Sequence, residues 1–253
     1  MSAAVAAPAA DRAARRRALE ARATQQAFFG AFLMVWAVGL WLWVIFTAVQ
    51  ILVTLLLARF LELGDGNVVI SIGPVGAPQI FLFVMGLVTG AGLLTIHVAA
   101  GGTRRSAVRG WLLAAPAVGA TFAVVSVLVT ALVRWISALA GSAPAVGPFL
   151  GAAPAVAALA VLGTAAFLAG VCGNAGYRRY GAGGGTLFLP VAIAPVVLAY
   201  VALLPAGGFA SDTAVGPGAD VAWWGWLLTV PCLAAAAALT WLLHRRIAIG
   251  AAG

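Results

Sequence analysis

Six long apolar runs constrain this chain more than any other feature of its sequence. No charged residue occurs between Ala27 and Leu57, nor between Trp111 and Val133. A helix needs about 20 mostly apolar residues to cross the bilayer's hydrocarbon core, which is about 30 Å thick. Only 8% of the 253 residues are charged, whereas a soluble domain carries about 25%. We therefore predict an all-α integral membrane protein.

The runs predict six transmembrane helices in a single domain over residues 27–246. A basic cytoplasmic or interfacial segment, residues 1–26, would precede them, and a short cytoplasmic tail, residues 247–253, would follow. The first run would be about 46 Å long as a helix, so its start is expected to tilt strongly or to lie along the interface. The predicted spans are Ala27–Leu57, Ile80–Ala100, Trp111–Val133, Phe149–Cys172, Thr186–Leu204 and Val221–Leu243.

The positions of the arginines predict the orientation of these spans. Most arginines lie before the first span, between spans two and three, between spans four and five, or after span six. These regions share one side, and cytoplasmic loops of membrane proteins are rich in Arg and Lys. We therefore expect both termini of this multi-pass membrane protein to be cytoplasmic. The arginines occur in short clusters between apolar runs, which disfavours nucleic acid as a partner.

The basic segment before the first span allows two interpretations. A helix from Asp11 would place Arg12, Arg15, Arg16 and Arg22 on one side and only alanines on the other. Such a helix would bind membrane lipids mainly through arginine and anionic headgroups. A partly disordered basic tail that only sets topology is the alternative.

Residues typical of catalysis or ion coupling are missing from the predicted spans. None of the six acidic residues lies in a span, which disfavours a secondary transporter because coupled carriers usually need an intramembrane ionisable group. His97 and His244 lie near cytoplasmic ends and are interpreted as interfacial residues. Cys172 and Cys232 lack metal-ligand spacing. No phosphate-binding loop is present, so we predict no catalytic residue, metal or cofactor site in this chain.

Two predicted cytoplasmic loops share a Gly-x-Arg-Arg core. The first comprises Gly102, Thr103, Arg104 and Arg105, followed by Arg109, and the second comprises Gly176, Tyr177, Arg178 and Arg179. Glycine allows backbone conformations that other residues avoid, so each loop could form a tight turn that presents arginines to a partner. The simpler interpretation is a turn with topology-setting charge. Elsewhere, Gly86-x-x-x-Gly90 has a spacing that permits close helix contacts.

Two parts of the sequence resemble small actinobacterial ABC transporter permeases of the type-2 exporter group. One is the apolar-His-Val end of span two, followed by "GGTRRSAVRG". The other is the loop "GYRRYGAG" ahead of "TLFLPVAIAP". The resemblance extends over about residues 25–246. It implies a location in the bacterial plasma membrane, a second permease copy, identical or not, and separate ATPase subunits that bind ATP and Mg²⁺.

In that group the loop between spans two and three couples the permease to the ATPase. The resemblance therefore implies coupling contacts at Gly102, Thr103, Arg104, Arg105 and Arg109, and secondary contacts at Gly176, Tyr177, Arg178 and Arg179. The outer hairpin of the group corresponds to Pro205–Asp220, which is short here. The implied function is ATP-driven export of a hydrophobic or amphipathic compound such as a drug, peptide or lipid. A non-transporting membrane scaffold or sensor that recruits a cytoplasmic partner is the alternative.

Overall fold

The computed structural model describes residues 9–60, 77–139, 153–203 and 223–245. Several features of the sequence lie outside this part of the chain: Glu62, Asp65, the predicted outer hairpin at Pro205–Asp220 and the predicted tail at residues 247–253. Within it the protein is all-helical, and every helix contains a segment long and apolar enough to cross a membrane. The five helices are α1 (Ala9–Phe60), α2 (Ala77–Ala99), α3 (Arg104–Leu139), α4 (Ala153–Ala202) and α5 (Trp223–His244).

Helix α1 joins the basic segment directly to the first apolar run. It continues through the predicted boundary between residues 26 and 27 without a break, and its length of about 78 Å far exceeds a bilayer core. Ala27, Ala31 and Val35 are buried at a spacing of four residues, which forms one helical stripe facing the rest of the protein. Farther along, Trp41 and Ile45 are exposed, as expected for side chains that face lipid.

The loop predicted at Gly173–Gly185 is wrong, because this segment is helical on both sides of a single turn at Gly181. Gly181 has a φ of 72° and a ψ of −174°, a conformation that is essentially restricted to glycine. A Cβ on Gly176 would lie only 2.5 Å from Cδ1 of Phe188, although these residues would be about 18 Å apart along a straight helix. The two arms of α4 therefore lie side by side.

The packing of the two arms extends along their length. Ala158 and Leu162 of the first arm belong to the same buried cluster as Ala199 and Leu203 of the second. Closer to the turn, Phe188 packs against the cluster that contains Cys172. The reversal needs one glycine instead of a loop, which is why the sequence pattern of glycine and arginine was misleading here.

Helices α2 and α4 approach each other through glycines. A Cβ on Gly86 would lie 3.0 Å from Cα of Gly170, and a Cβ on Gly170 would lie 2.9 Å from the backbone nitrogen of Leu87. At these distances a side chain would force its neighbour to move, so the backbones pack directly against each other. Gly90, the second glycine of the predicted close-contact spacing, faces the side chain of Asn174.

Contacts between helices fix their relative directions. Thr24 and Ala27 of α1 lie against Gly110 near the start of α3, and farther along both helices the Trp36 Nε1–H donates to Thr121 Oγ1 at 3.1 Å. Helices α1 and α3 thus run the same way.

One end of the protein brings together the end of α2, the start of α3, the Gly181 turn and the end of α5. We call this the arginine end, formed by residues 97–109, 177–181 and 244–245.

Candidate functional site

The turn between α2 and α3 ends α2 with a glycine cap. Gly101 has a φ of 86°, its N–H donates to the Val98 carbonyl at 3.0 Å, and the Gly102 N–H donates to the His97 carbonyl at 2.9 Å. This pair of bonds is the Schellman motif, in which a left-handed glycine satisfies the last carbonyls of a helix. The left-handed residue is Gly101, whereas the sequence analysis emphasised Gly102.

Helix α3 begins with a reciprocal cap between Thr103 and Ser106. The Ser106 N–H donates to Thr103 Oγ1 at 3.1 Å, and the Thr103 N–H donates to Ser106 Oγ at 3.1 Å. This is a capping box in which serine replaces the usual Glu or Gln. The Thr103 hydroxyl, predicted as a coupling contact, therefore serves to start α3.

His97 supports the same turn from α2. Its Nε2 lies 2.8 Å from Ser106 Oγ, and Ser106 Oγ itself donates to the Thr103 carbonyl at 2.7 Å. A serine hydroxyl has one proton, so the tautomer of His97 sets whether Nε2 or Ser106 Oγ is the donor in this pair. A Cβ on Gly102 would lie 2.7 Å from His97 Cε1, so the ring fits only because residue 102 is glycine. Ser106 and the role of His97 were not predicted from the sequence; their spacing around the Gly-Gly pair was the available signal.

The arginines of the first cluster differ in their surroundings. Arg105 is exposed and Arg104 is half-buried. Arg109 points away from the turn: its Nη1 lies 4.0 Å from Glu20 Oε2 of α1, and its guanidinium is 6.0 Å from the ring centroid of Trp241 in α5. Arg105 is thus held on the surface at the first turn of α3, while Arg109 connects three helices.

The residues of the second cluster bind to the protein itself. Arg178 Nη2 donates to the Ala91 carbonyl of α2 and lies 3.5 Å from Thr95 Oγ1. The Arg179 guanidinium lies 5.3 Å from the ring centroid of Tyr180, and the Tyr177 hydroxyl is 3.3 Å from Thr186 Oγ1. These contacts hold the Gly181 turn and attach it to α2. The fold therefore brings both arginine clusters to the same end of the protein.

His244 is buried among the helices, a packing role that its interpretation as an interfacial residue did not predict. Only 2% of its surface is exposed. Its Nδ1 lies 2.8 Å from the Thr240 carbonyl, and its ring meets that of Trp111 edge-on at 5.6 Å. Burial against Trp111 places the end of α5 beside the start of α3.

A groove of about 750 Å³ lies between α1 and α3 at the arginine end. Polar side chains of both helices form one part of it and apolar side chains form the rest. The groove was not predictable from the sequence, because its two walls are about 90 residues apart in the chain. The lining residues are Arg17, Glu20, Ala21, Thr24, Gln25, Phe28, Arg109, Leu112 and Leu113.

Potential metal ligands are scattered among the described residues. Across residues 9–60, 77–139, 153–203 and 223–245, no group of three His, Cys, Asp or Glu side chains could hold a metal ion. Cys172 and Cys232 are both free thiols.

Comparison of the chain with protein-family models, with curated proteins and with solved structures finds no match.

Proposed function

We propose that this protein is the membrane subunit of an ABC-type transporter and that the α2–α3 turn at its arginine end docks an ATP-hydrolysing partner. One observation carries the proposal: the α2–α3 turn is fixed by the Gly101 cap on one side and the Thr103–Ser106 cap on the other. A turn held this firmly can transmit a push from a bound partner into α3. Arg105 is exposed on that turn and is the best-placed contact.

The doubled-back α4 supports six membrane crossings. Its arms on either side of Gly181 would be about 42 Å and about 32 Å long at the α-helical rise, and each exceeds the thickness of a hydrocarbon core. With α1, α2, α3 and α5 this gives six crossings, all reversing between the arginine end and the opposite end. By the positive-inside rule the arginine end would face the cytoplasm of a bacterial cell.

The proposed mechanism is alternating access driven by the partner. ATP and Mg²⁺ would bind to the partner, which would press on the α2–α3 turn. Helix α3 contacts α1 through Trp36 and Thr121, and α4 through Gly119 and Thr164, so movement of α3 would reach both. A second permease copy would complete the pathway, and the apolar character of the helices favours a hydrophobic or amphipathic substrate.

One structural feature favours the alternative of a non-transporting scaffold or sensor. The backbones of α2 and the first arm of α4 pack directly against each other at Gly86 and Gly170. If the two helices slid, a side chain would replace glycine at this contact and clash, so they have little freedom to slide. A rigid helical anchor that presents arginines would need such packing, whereas a transporter would have to move these two helices as one unit.

The test is charge reversal at Arg105. Affinity-tagged full-length protein would be purified from its native membranes, and co-purified ATP hydrolysis and nucleotide-dependent transport into vesicles would be measured. We expect Arg105→Glu to abolish the co-purification of ATP hydrolysis. Arg245→Glu reverses the charge of another exposed arginine at the same end and should retain it.

Two results would contradict the proposal. Recovery of a partner that does not hydrolyse ATP would favour the scaffold. Uphill flux by the purified protein alone, without nucleotide, would exclude a separate ATPase as the energy source.

A further inference from the structure

The groove between α1 and α3 at the arginine end combines arginines with an apolar wall. We propose that it binds one anionic phospholipid, with the phosphate against Arg17 and Arg109 and an acyl chain against Phe28, Leu112 and Leu113. Its volume of about 750 Å³ lies within the range of about 300–1,000 Å³ typical of ligand clefts. The inference depends on the membrane location of the helices and does not require transport.

The order of side chains along the groove matches the order of groups in a lipid. Helices α1 and α3 run in the same direction, so residue numbers on both walls increase away from the arginine end. Arg17 and Glu20 therefore lie nearest that end, and Phe28 lies about 12 Å farther along the helix than Glu20. On the facing wall, Arg109 precedes Leu112 and Leu113 in the same way.

The apolar part of the groove is open to its surroundings. Leu113 is 59% exposed although it lines the groove, so an acyl chain could reach it sideways from the bilayer. The helical spacing explains this arrangement, since Leu112 and Leu113 follow Arg109 by three and four residues and share its face. An acyl chain would cover apolar surface that the protein itself leaves uncovered.

The charges of the groove favour an anionic headgroup over a neutral one. Two arginines face a single carboxylate, and the one ion pair, between Arg109 and Glu20, spans 4.0 Å with both side chains about half exposed. Such exposed pairs are weak, so Arg109 keeps donors for a phosphate. Arginine binds phosphate through two parallel N–H donors, and basic pockets between helices on the cytoplasmic side suit acidic lipids.

The experiment measures lipid binding to the full-length protein by native mass spectrometry in detergent. The probe is phosphatidylglycerol, with phosphatidylcholine of the same chain length as the neutral control and inorganic phosphate as a competitor. We expect a saturable single site for phosphatidylglycerol. Substituting Arg17→Gln or Arg109→Gln should each raise the dissociation constant about fivefold, as expected for one arginine at an anionic lipid.

Two further variants make the test independent of folding defects. Glu20→Gln removes the only carboxylate among the described residues that line the groove, so it should tighten binding, an effect that misfolding cannot produce. Arg16→Gln removes the same charge as Arg17→Gln from the adjacent residue, which does not line the groove, and should leave the affinity within about twofold.

Three results would overturn the proposal. An equal loss in Arg16→Gln and Arg17→Gln would mean diffuse attraction by the basic helix. Equal affinity for phosphatidylcholine would remove the role of charge. Displacement of the lipid by inorganic phosphate at similar concentration would identify a phosphate site without a lipid component.

Discussion

The backbone of Gly86 in α2 lies directly against that of Gly170 in α4, so a Cβ on Gly86 would be only 3.0 Å from Cα of Gly170. In a membrane, lipid tails are as apolar as leucine, and helices associate mainly by close packing. The pair brings α2 and the first arm of α4 together over their central turns.

Replacing Gly86 with alanine should destabilise the protein. The added methyl would meet the Phe167 carbonyl and Gly170, and overpacking of this kind costs about 1–3 kcal/mol. Unfolding in mixed detergent measures the effect. Gly92→Ala is the control, because a Cβ at Gly92 meets nothing within 4 Å; it should leave stability unchanged or raise it by up to about 1 kcal/mol. Similar losses in both variants would contradict the packing argument.

Removing the cap of α3 should weaken the α2–α3 turn. Thr103→Ala loses the oxygen that accepts the Ser106 N–H, and loss of such a cap costs about 0.5–2 kcal/mol. Thr103→Ser keeps the oxygen and should retain stability. Hydrogen exchange of the backbone amides at the start of α3 reports the change locally. Unaltered exchange in Thr103→Ala would show that the cap is dispensable.

A side chain at Gly181 should strain the turn of α4. A Cβ there meets no atom within 4 Å, so any cost comes from the backbone, whose φ of 72° and ψ of −174° should cost a non-glycine residue about 1–3 kcal/mol. We expect Gly181→Ala to lower the unfolding free energy by that amount. Gly183→Ala, also in open space, should not. If neither substitution changed the unfolding free energy, the chain reversal at Gly181 would tolerate an ordinary residue.

Neutralising Arg178 by the substitution Arg178→Gln should weaken the attachment of α4 to α2. Its guanidinium donates to the Ala91 carbonyl, and loss of one such bond should cost about 1 kcal/mol in the unfolding free energy. Arg179→Gln removes the same charge next to it but loses only the contact with the Tyr180 ring, so a smaller loss is expected. A larger loss in Arg179→Gln would reverse this assignment.

The sequence alone determined the class of the protein. Uncharged apolar runs long enough to cross a bilayer predict membrane helices by length and transfer energy, and all five helices satisfy that requirement. The same signal predicted two helix positions closely: α2 and α5 each lie within a few residues of a predicted span. These features depend on local composition, which a single sequence contains in full.

The tertiary structure decided how the polar residues are used. Gly176 and Gly181 look alike in the sequence, yet Gly176 accommodates Phe188 while Gly181 turns the chain. Arg105 and Arg109 also look alike, but Arg109 reaches Glu20 and Trp241 on two other helices. Such roles depend on neighbours that are distant in the chain. They arise only when packing brings helix surfaces within van der Waals and hydrogen-bond range, which local composition does not specify.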